Sequence, residues 1–300
     1  MAARLTNAVL SAFLVLCALP ALAQNPDPAL RAEQPPAPTT VADVIRLFAQ
    51  KEAQFARARE QYTFRQSVKV QTLEGDTVDG EYQLVTDIDY DSRGRRVENV
   101  AFAPQPTLTR IFMGKEDFDD LRNILPFVLT SETLTDYNIT YLGKQKQDEL
   151  DTYVFDLEPK VIEKGRRYFQ GRIWVDDHDL QIVKTYGKSV PDIRDKKGDN
   201  ENLFPRFTTW REQVDGIFWF PTYTRADDVL HFRGGKRSMP QDVRIRIIVK
   251  YTNYKRFGSS VRITYDGREV IKDPATGEKQ TSPAPQPTPP PAQTPLPKKP

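Results

Sequence analysis

The chain has 300 residues, 43 Lys plus Arg against 41 Asp plus Glu, and a formal net charge of +2. That balance excludes a dedicated nucleic-acid binder, which carries a marked basic excess. The single cysteine, Cys17, lies in an N-terminal apolar run. A processed chain would therefore have no thiol for disulfides, metal ligation or nucleophilic catalysis.

Arg4, the apolar run Ala8 to Leu19 and the tripeptide Ala21-Leu22-Ala23 have the layout of a secretory signal peptide, here 1–23. The run is short for a membrane span, which takes about 20 residues, although an uncleaved anchor is the alternative. Leu16 stands where a lipoprotein signal would place a small residue, so Cys17 reads as a removed residue rather than a lipid attachment point. Residues 24–39 form a Pro-rich linker.

Thr40 with Asp43 makes a capping box. Val41, Val44, Ile45, Phe48 and Phe55 then share one face of an amphipathic helix running to about Arg59. From Tyr62 the period changes to two. Strand-like runs follow at 82–90, 96–102, 108–113, 138–143, 152–157, 168–175, 180–186, 207–214 and 217–225. In the clearest strand, Val243, Ile245, Ile247, Val249 and Tyr251 face one way, and Arg244, Arg246 and Lys250 face the other. Asp215-Gly216 between two aromatic runs signals a tight hairpin, and short links imply antiparallel pairing. One interruption, residues 115–134, places Phe118, Leu121 and Leu125 at helical spacing before Pro126. This short helix either plugs the core or lids an apolar cavity. From 266 to 300 the chain is a Pro-rich tail, nine of its last eighteen residues being proline, and its composition predicts polyproline II or disorder.

Asp176-Asp177-His178-Asp179 invites a metal reading. The four residues are sequential, however, so their side chains diverge, whereas a zinc site takes three or four ligands converging from separate positions. Between two apolar strands the cluster reads as a hairpin tip. His231 beside Asp227 and Asp228 has no accompanying nucleophile motif. No catalytic residue, metal or cofactor is expected, and the chain does not read as an enzyme. Phe204, Phe207, Trp210, Phe218, Trp219, Phe220 and Tyr223 crowd one region, either as core or as part of an apolar pocket.

The strand pair Tyr168-Phe169-Gln170-Gly171-Arg172-Ile173-Trp174-Val175-Asp176 and Leu180-Gln181-Ile182-Val183-Lys184, followed by Gly187, resembles the outer-membrane lipoprotein-sorting family. This LolA/LolB-like superfamily also includes RseB-type periplasmic regulators. The earlier strand Thr152 to Pro159 is similar as well. The resemblance spans roughly 40–260 and implies a mainly β (α+β) fold over 40–265. In that fold a strongly curved antiparallel sheet, an incomplete β-barrel, has the N-terminal helix and the inserted helix across its concave face. It further implies a periplasmic, outer-membrane-associated protein whose apolar cavity takes a lipid or acylated lipoprotein. Phe118, Leu121, Leu125, Phe127, Trp174, Trp210 and Trp219 are the expected lining. A membrane surface or envelope protein is a further expected partner. The alternative is an RseB-like regulatory module that grips a periplasmic protein segment.

Overall fold

In the computed structural model, residues 28–193, 206–231 and 241–257 are described, together with the backbone alone of 232, 262–265, 268–272 and 279–281. The expected signal peptide lies outside the described residues, as does most of the tail. Among the described residues no helix is long and apolar enough to cross a membrane.

Helix α1 (Val41–Arg59) begins as the sequence predicts. Thr40 Oγ1 accepts the Asp43 backbone N–H at 3.1 Å, and Asp43 accepts the Thr40 N–H at 3.2 Å. Ten strands follow: β1 (Tyr62–Glu74), β2 (Thr77–Tyr90), β3 (Arg96–Phe102), β4 (Tyr137–Gln147), β5 (Leu150–Pro159), β6 (Tyr168–Asp176), β7 (Ile182–Val190), β8 (Phe207–Gln213), β9 (Trp219–Phe232) and β10 (Gln241–Arg256). They form one antiparallel sheet in the order β3-β2-β1-β10-β9-β8-β7-β6-β5-β4, left open between β3 and β4. The mainly β, incomplete-barrel expectation therefore holds. The inserted helix is α2 (Lys115–Asn123). A separate small antiparallel sheet joins β11 (Arg262–Tyr265), β12 (Arg268–Lys272) and β13 (Lys279–Thr281). The segment expected to be irregular from 266 thus carries two short strands, and its remainder lies outside the described residues.

Two sequence expectations need correction. Leu108–Met113 alternates like a strand, with Ile111 and Met113 buried and Phe112 86% exposed. The segment nevertheless pairs with no strand, because it leaves the sheet edge and crosses toward the core. The residue before it, Thr107, is held at the sheet, its N–H donating to the Glu81 carbonyl and its hydroxyl accepting the Glu81 N–H, both at 2.9 Å. The Asp215-Gly216 turn is also wider than a two-residue hairpin. Asp215 Oδ1 accepts the N–H groups of Ile217 and Phe218, both at 2.9 Å, and closes a loop of residues 214–218.

The principal core fills the concave face. Val44, Phe48 and Ala49 of α1 meet Phe155, Phe169 and Ile173 from the β5–β6 side and Val243, Ile245, Ile247 and Val249 of β10. Phe48 is fully buried, with its ring 5.4 Å from that of Phe155. Burying such a side chain contributes roughly 1.5–3 kcal/mol. Phe48→Ala, which adds a cavity to the lost transfer energy, should cost about 3–5 kcal/mol. Urea unfolding followed by far-UV circular dichroism checks this, and a loss below about 1 kcal/mol would show that α1 is not anchored through Phe48.

Edge strand β4 is covered by part of the linker. Arg31 and Lys144 exchange backbone hydrogen bonds of 2.8 and 2.9 Å, and the Tyr141 hydroxyl donates to the Glu33 carbonyl at 2.5 Å. A Cβ on Gly143 would lie 2.0 Å from the Arg31 carbonyl oxygen, so glycine there permits this close approach. Covering an edge in this way blocks edge-to-edge association.

Candidate functional site

The 115–129 segment reaches the concave face and is held there by groups that satisfy its free carbonyls. A helix leaves its last four C=O groups without intrahelical partners. Gln66 Nε2 donates to the Leu121 carbonyl at 3.4 Å, Thr209 Oγ1 donates to that of Leu125 at 2.8 Å, and Arg211 donates to that of Phe127. Arg211 and Glu52 form a fully buried ion pair at 3.0 and 3.1 Å, and Glu52 Oε1 also accepts the Ile182 N–H at 3.1 Å. Burial pushes the Glu52 carboxyl up, and the Arg211 charge pulls it back. Two further ion pairs fix α2. Asp120, 1% exposed, meets Arg167 at 2.6 Å, and Glu98 receives both Arg122 and Arg96 at 2.8 Å.

Leu121, Leu125 and Phe127 are buried in the main core, and Phe118 packs against it with its ring 6.2 Å from Tyr82. These four share the concave side. The three tryptophans do not join them. Trp174 sits in a small cluster with Val154 and Val183, and Trp219 packs against that cluster. Trp210 lies beside Tyr223 at 5.7 Å and opposite Lys184 in the sheet. All three occupy the convex face, so the seven expected lining residues form two groups on opposite sides of the sheet. Among the described residues, side chains of α1, the 115–129 segment and the sheet pack together on the concave side.

An open cavity remains at the margin of that face, between the C-terminal ends of α1 and α2. It encloses about 220 Å³. Its walls are aromatic. Phe64 and Tyr254 stack at 5.1 Å, Phe220 meets Tyr254 at 4.7 Å, and Phe55 meets Phe220 edge-on at 5.1 Å. The Tyr254 hydroxyl donates to the Pro221 carbonyl at 2.7 Å. Burial raises both phenols, Tyr251 to about 12 and Tyr254 well above its ordinary value, so neither places negative charge in the cavity at neutral pH. The rim carries Arg59, Arg96, Arg122 and Glu60. Glu98 is shared by Arg96 and Arg122, whereas Arg59 forms no ion pair among the described residues and its Nε is buried without a hydrogen-bond partner. The cavity therefore offers aromatic walls with a basic rim, on which Arg59 makes no ion pair among the described residues.

Sequence patterning missed this site. Arg59 ends α1, Phe64 begins β1, and Tyr251 and Tyr254 end β10, so its residues converge only through the β1–β10 pairing. The available signal was the aromatic density of Tyr251-Thr252-Asn253-Tyr254 facing Tyr62-Thr63-Phe64.

The acidic cluster is a turn that joins two hairpin tips. Asp176 Oδ2 accepts the N–H groups of His178 and Asp179 at 3.2 and 2.6 Å. Asp179 Oδ2 accepts Trp219 Nε1 at 2.9 Å and Gln213 Nε2 at 2.6 Å. The side chains do not diverge as their adjacency suggests, since potential ligand atoms of Asp176, His178 and Asp179 come within 4.8 Å of one another, but Oδ2 of Asp176 and of Asp179 already serves these structural bonds. His231 pairs on the surface with Asp242 at 2.7 Å. Arg244 and Arg246 of the basic strand face both reach Asp227 at 3.2 Å, which lowers the net charge they present.

Two predictions follow the geometry. Arg211→Met strands the Glu52 charge in the core and should cost about 3–5 kcal/mol, while Glu52→Leu combined with Arg211→Met should recover most of that loss. Urea midpoints of the single and double variants check this, and equal losses in both would disprove pairing as the cause. Glu98 is held down at about 2, chiefly by its hydrogen bond from Arg122. A depressed folded pKa gives stability that is present above the unfolded value of about 4.5 and lost as pH falls through about 2. Glu98→Gln should therefore be less stable than wild type by about 1–2 kcal/mol at pH 7, after allowance for solvent screening. That gap should close between about pH 4.5 and pH 2, as measured by denaturation at stepped pH, and a gap that persists in acid would contradict the assignment.

No protein-family model and no curated protein matches the chain. Among solved structures it is similar to a DUF1329 family protein from Desulfovibrio piger, at 14% identity and TM-score 0.35, covering 72% of this chain and 94% of that one. It is also similar to a LolA superfamily protein from Nitrosomonas europaea, at 18% identity and TM-score 0.31, covering 73% and 95%. A third likeness is to MucB in complex with MucA(peri), at 9% identity and TM-score 0.20, covering 73% and 99%.

Proposed function

We propose that the chain is an exported, non-enzymatic binding protein that takes the acyl chain of a lipid or acylated lipoprotein on its concave side, with the ligand's anionic group at Arg59. The observation that carries this reading is the aromatic cavity with one unpaired guanidinium at its mouth. Ligand sites are mostly apolar with a few orienting polar groups, and this cavity has that character. The signal-like N-terminus and the lipoprotein-sorting resemblance support a periplasmic setting.

The size of the cavity bounds the affinity. A methylene group occupies about the volume of a water, roughly 30 Å³, so 220 Å³ takes about seven. At about 0.8 kcal/mol per buried CH₂ this supplies about 5–6 kcal/mol, a dissociation constant on the order of 10⁻⁴ M before any contribution from Arg59. Longer chains extend toward Phe118, Leu121, Leu125 and Phe127 as the 115–129 segment gives way. Trp174, Trp210 and Trp219 take no part, because they face away.

Titration of the delipidated full chain with a series of straight-chain fatty acids, read by calorimetry, is the test. Affinity should rise with chain length up to about seven buried carbons. Arg59→Gln should weaken binding about tenfold or more, the range expected for a lost hydrogen bond to a charged group. No saturable binding, or binding indifferent both to chain length and to Arg59→Gln, would end this reading.

A further inference from the structure

The convex face carries a larger hollow, of about 760 Å³, across strands β4 to β8, and its lining has more amide, hydroxyl and charged side chains than that of the concave cavity. We propose that this groove binds an oligosaccharide. The inference is independent of acyl binding on the other face.

The lining excludes the other ligand classes. Its side chains include Asn138, Glu158, Gln170, Arg172, Tyr186 and Thr208, an array of amides, hydroxyls and charges. The one aliphatic residue at its border, Leu157, is 2% exposed and belongs to the concave core, so an acyl chain finds no aliphatic side chain to lie on, and the apolar residues that remain are the Tyr186 and Trp174 rings. Asp156 and Glu158 oppose a polyphosphate backbone. Strands β5 to β8 are each paired on both sides, so their backbone groups are committed and an added peptide strand finds no ladder there.

What remains suits a polyhydroxylated ligand. Planar amide, carboxylate and guanidinium groups can each offer two hydrogen-bonding atoms to neighbouring hydroxyls. Arg172 is already oriented by its two bonds to Asp156, at 2.8 and 3.1 Å, and the pair presents a fixed array of donors and acceptors. The Tyr186 ring is 41% exposed, which gives the electron-rich face that sugar C–H groups stack on. The Arg206 guanidinium lies 6.0 Å from that ring and has no ion-pair partner among the described residues, so the β7–β8 end favours a sugar carboxylate. At the other side of the groove Trp174 is oriented by donating Nε1 to Gln145 at 2.7 Å and is capped by Lys184 Nζ at 4.8 Å. The floor includes Gly171, where a Cβ would lie 2.3 Å from the Tyr186 carbonyl oxygen, so a side chain cannot fill the hollow at that point. Four interstrand spacings of about 4.8 Å give a length of about 19 Å, enough for several sugar rings in line.

The experiment titrates the full chain with two probes, chitotetraose for a neutral glycan and tetragalacturonate for an acidic one. Intrinsic tryptophan emission and ¹H–¹⁵N shifts are followed. At least one probe should bind saturably with a dissociation constant at or below about 1 mM. Tyr186→Ala and Gln170→Ala should each weaken that binding, Tyr186→Ala by about tenfold, with circular dichroism unchanged. Arg206→Gln should weaken only the acidic probe. Failure of both probes to saturate, or binding that survives Tyr186→Ala and Gln170→Ala in folded protein, would overturn the proposal. Wild-type fatty-acid affinity in the presence of saturating saccharide separates this site from the concave one.

Discussion

The buried pair between Glu52 and Arg211 is the interaction on which the concave side depends. Taking both charges out of water carries a desolvation penalty of several kcal/mol per ion, repaid only when geometry is good and the remaining donors and acceptors are used. Here the carboxylate accepts both the guanidinium and the Ile182 N–H, while the guanidinium also donates to the Phe127 carbonyl and lies 5.2 Å from the Phe55 ring centroid, although its Nε is buried without a hydrogen-bond partner. One ionic centre thus links α1, β7, β8 and the segment after α2. A hydrophobic replacement of similar volume could match its stability but would not specify where that segment lies, because only a directional donor selects the carbonyl of one residue. The Thr209 bond to the Leu125 carbonyl adds a second fixed point within the same turn of chain.

That arrangement accounts for the cavity's position. Leu121, Leu125 and Phe127 are drawn into the core against the sheet, where side chains pack densely. Space remains where the packing of α1 and α2 runs out, at Arg59 and Asn123, and there the wall is made by β1, β9 and β10. Aromatic rings line it because a strand end that must stay apolar while meeting water is well served by large rings with a polar tip. The Tyr254 hydroxyl, turned to the Pro221 carbonyl, is such a tip.

The sequence made the strands and the two helices legible because their periods differ, two against 3.6, over runs long enough to register. α1 was readable from Thr40 to Arg59, and β3 matched at both ends. Leu108–Met113 misled because alternation reports which side chains are buried, not whether a neighbouring strand exists. The tryptophans misled for a different reason. The bulges beside Trp174/Val175 and Trp210/Arg211 place their extra residues on β7 and β9, and Trp174 keeps the alternation of its own strand, opposite to Ile173 and Val175, so the lining implied by the resemblance conflicts with the strand period itself. Arg59 was invisible as a site residue because its significance lies in the ion pair it does not form, which only the assembled surroundings reveal.

The two faces carry different chemistry because the sheet separates them completely. On the concave side, the proposed affinity for an acyl chain is modest because the hollow is small, and a protein that hands a lipid onward is helped by that limit. Every further buried methylene would slow release by about fourfold for 0.8 kcal/mol. A full lipid anchor would have to displace the Thr209 and Arg211 bonds to the carbonyls of Leu125 and Phe127, so part of its binding energy would be spent on moving the segment. The same bonds would reclose behind a departing ligand. Those bonds would thus oppose retention of the proposed acyl ligand as much as its entry.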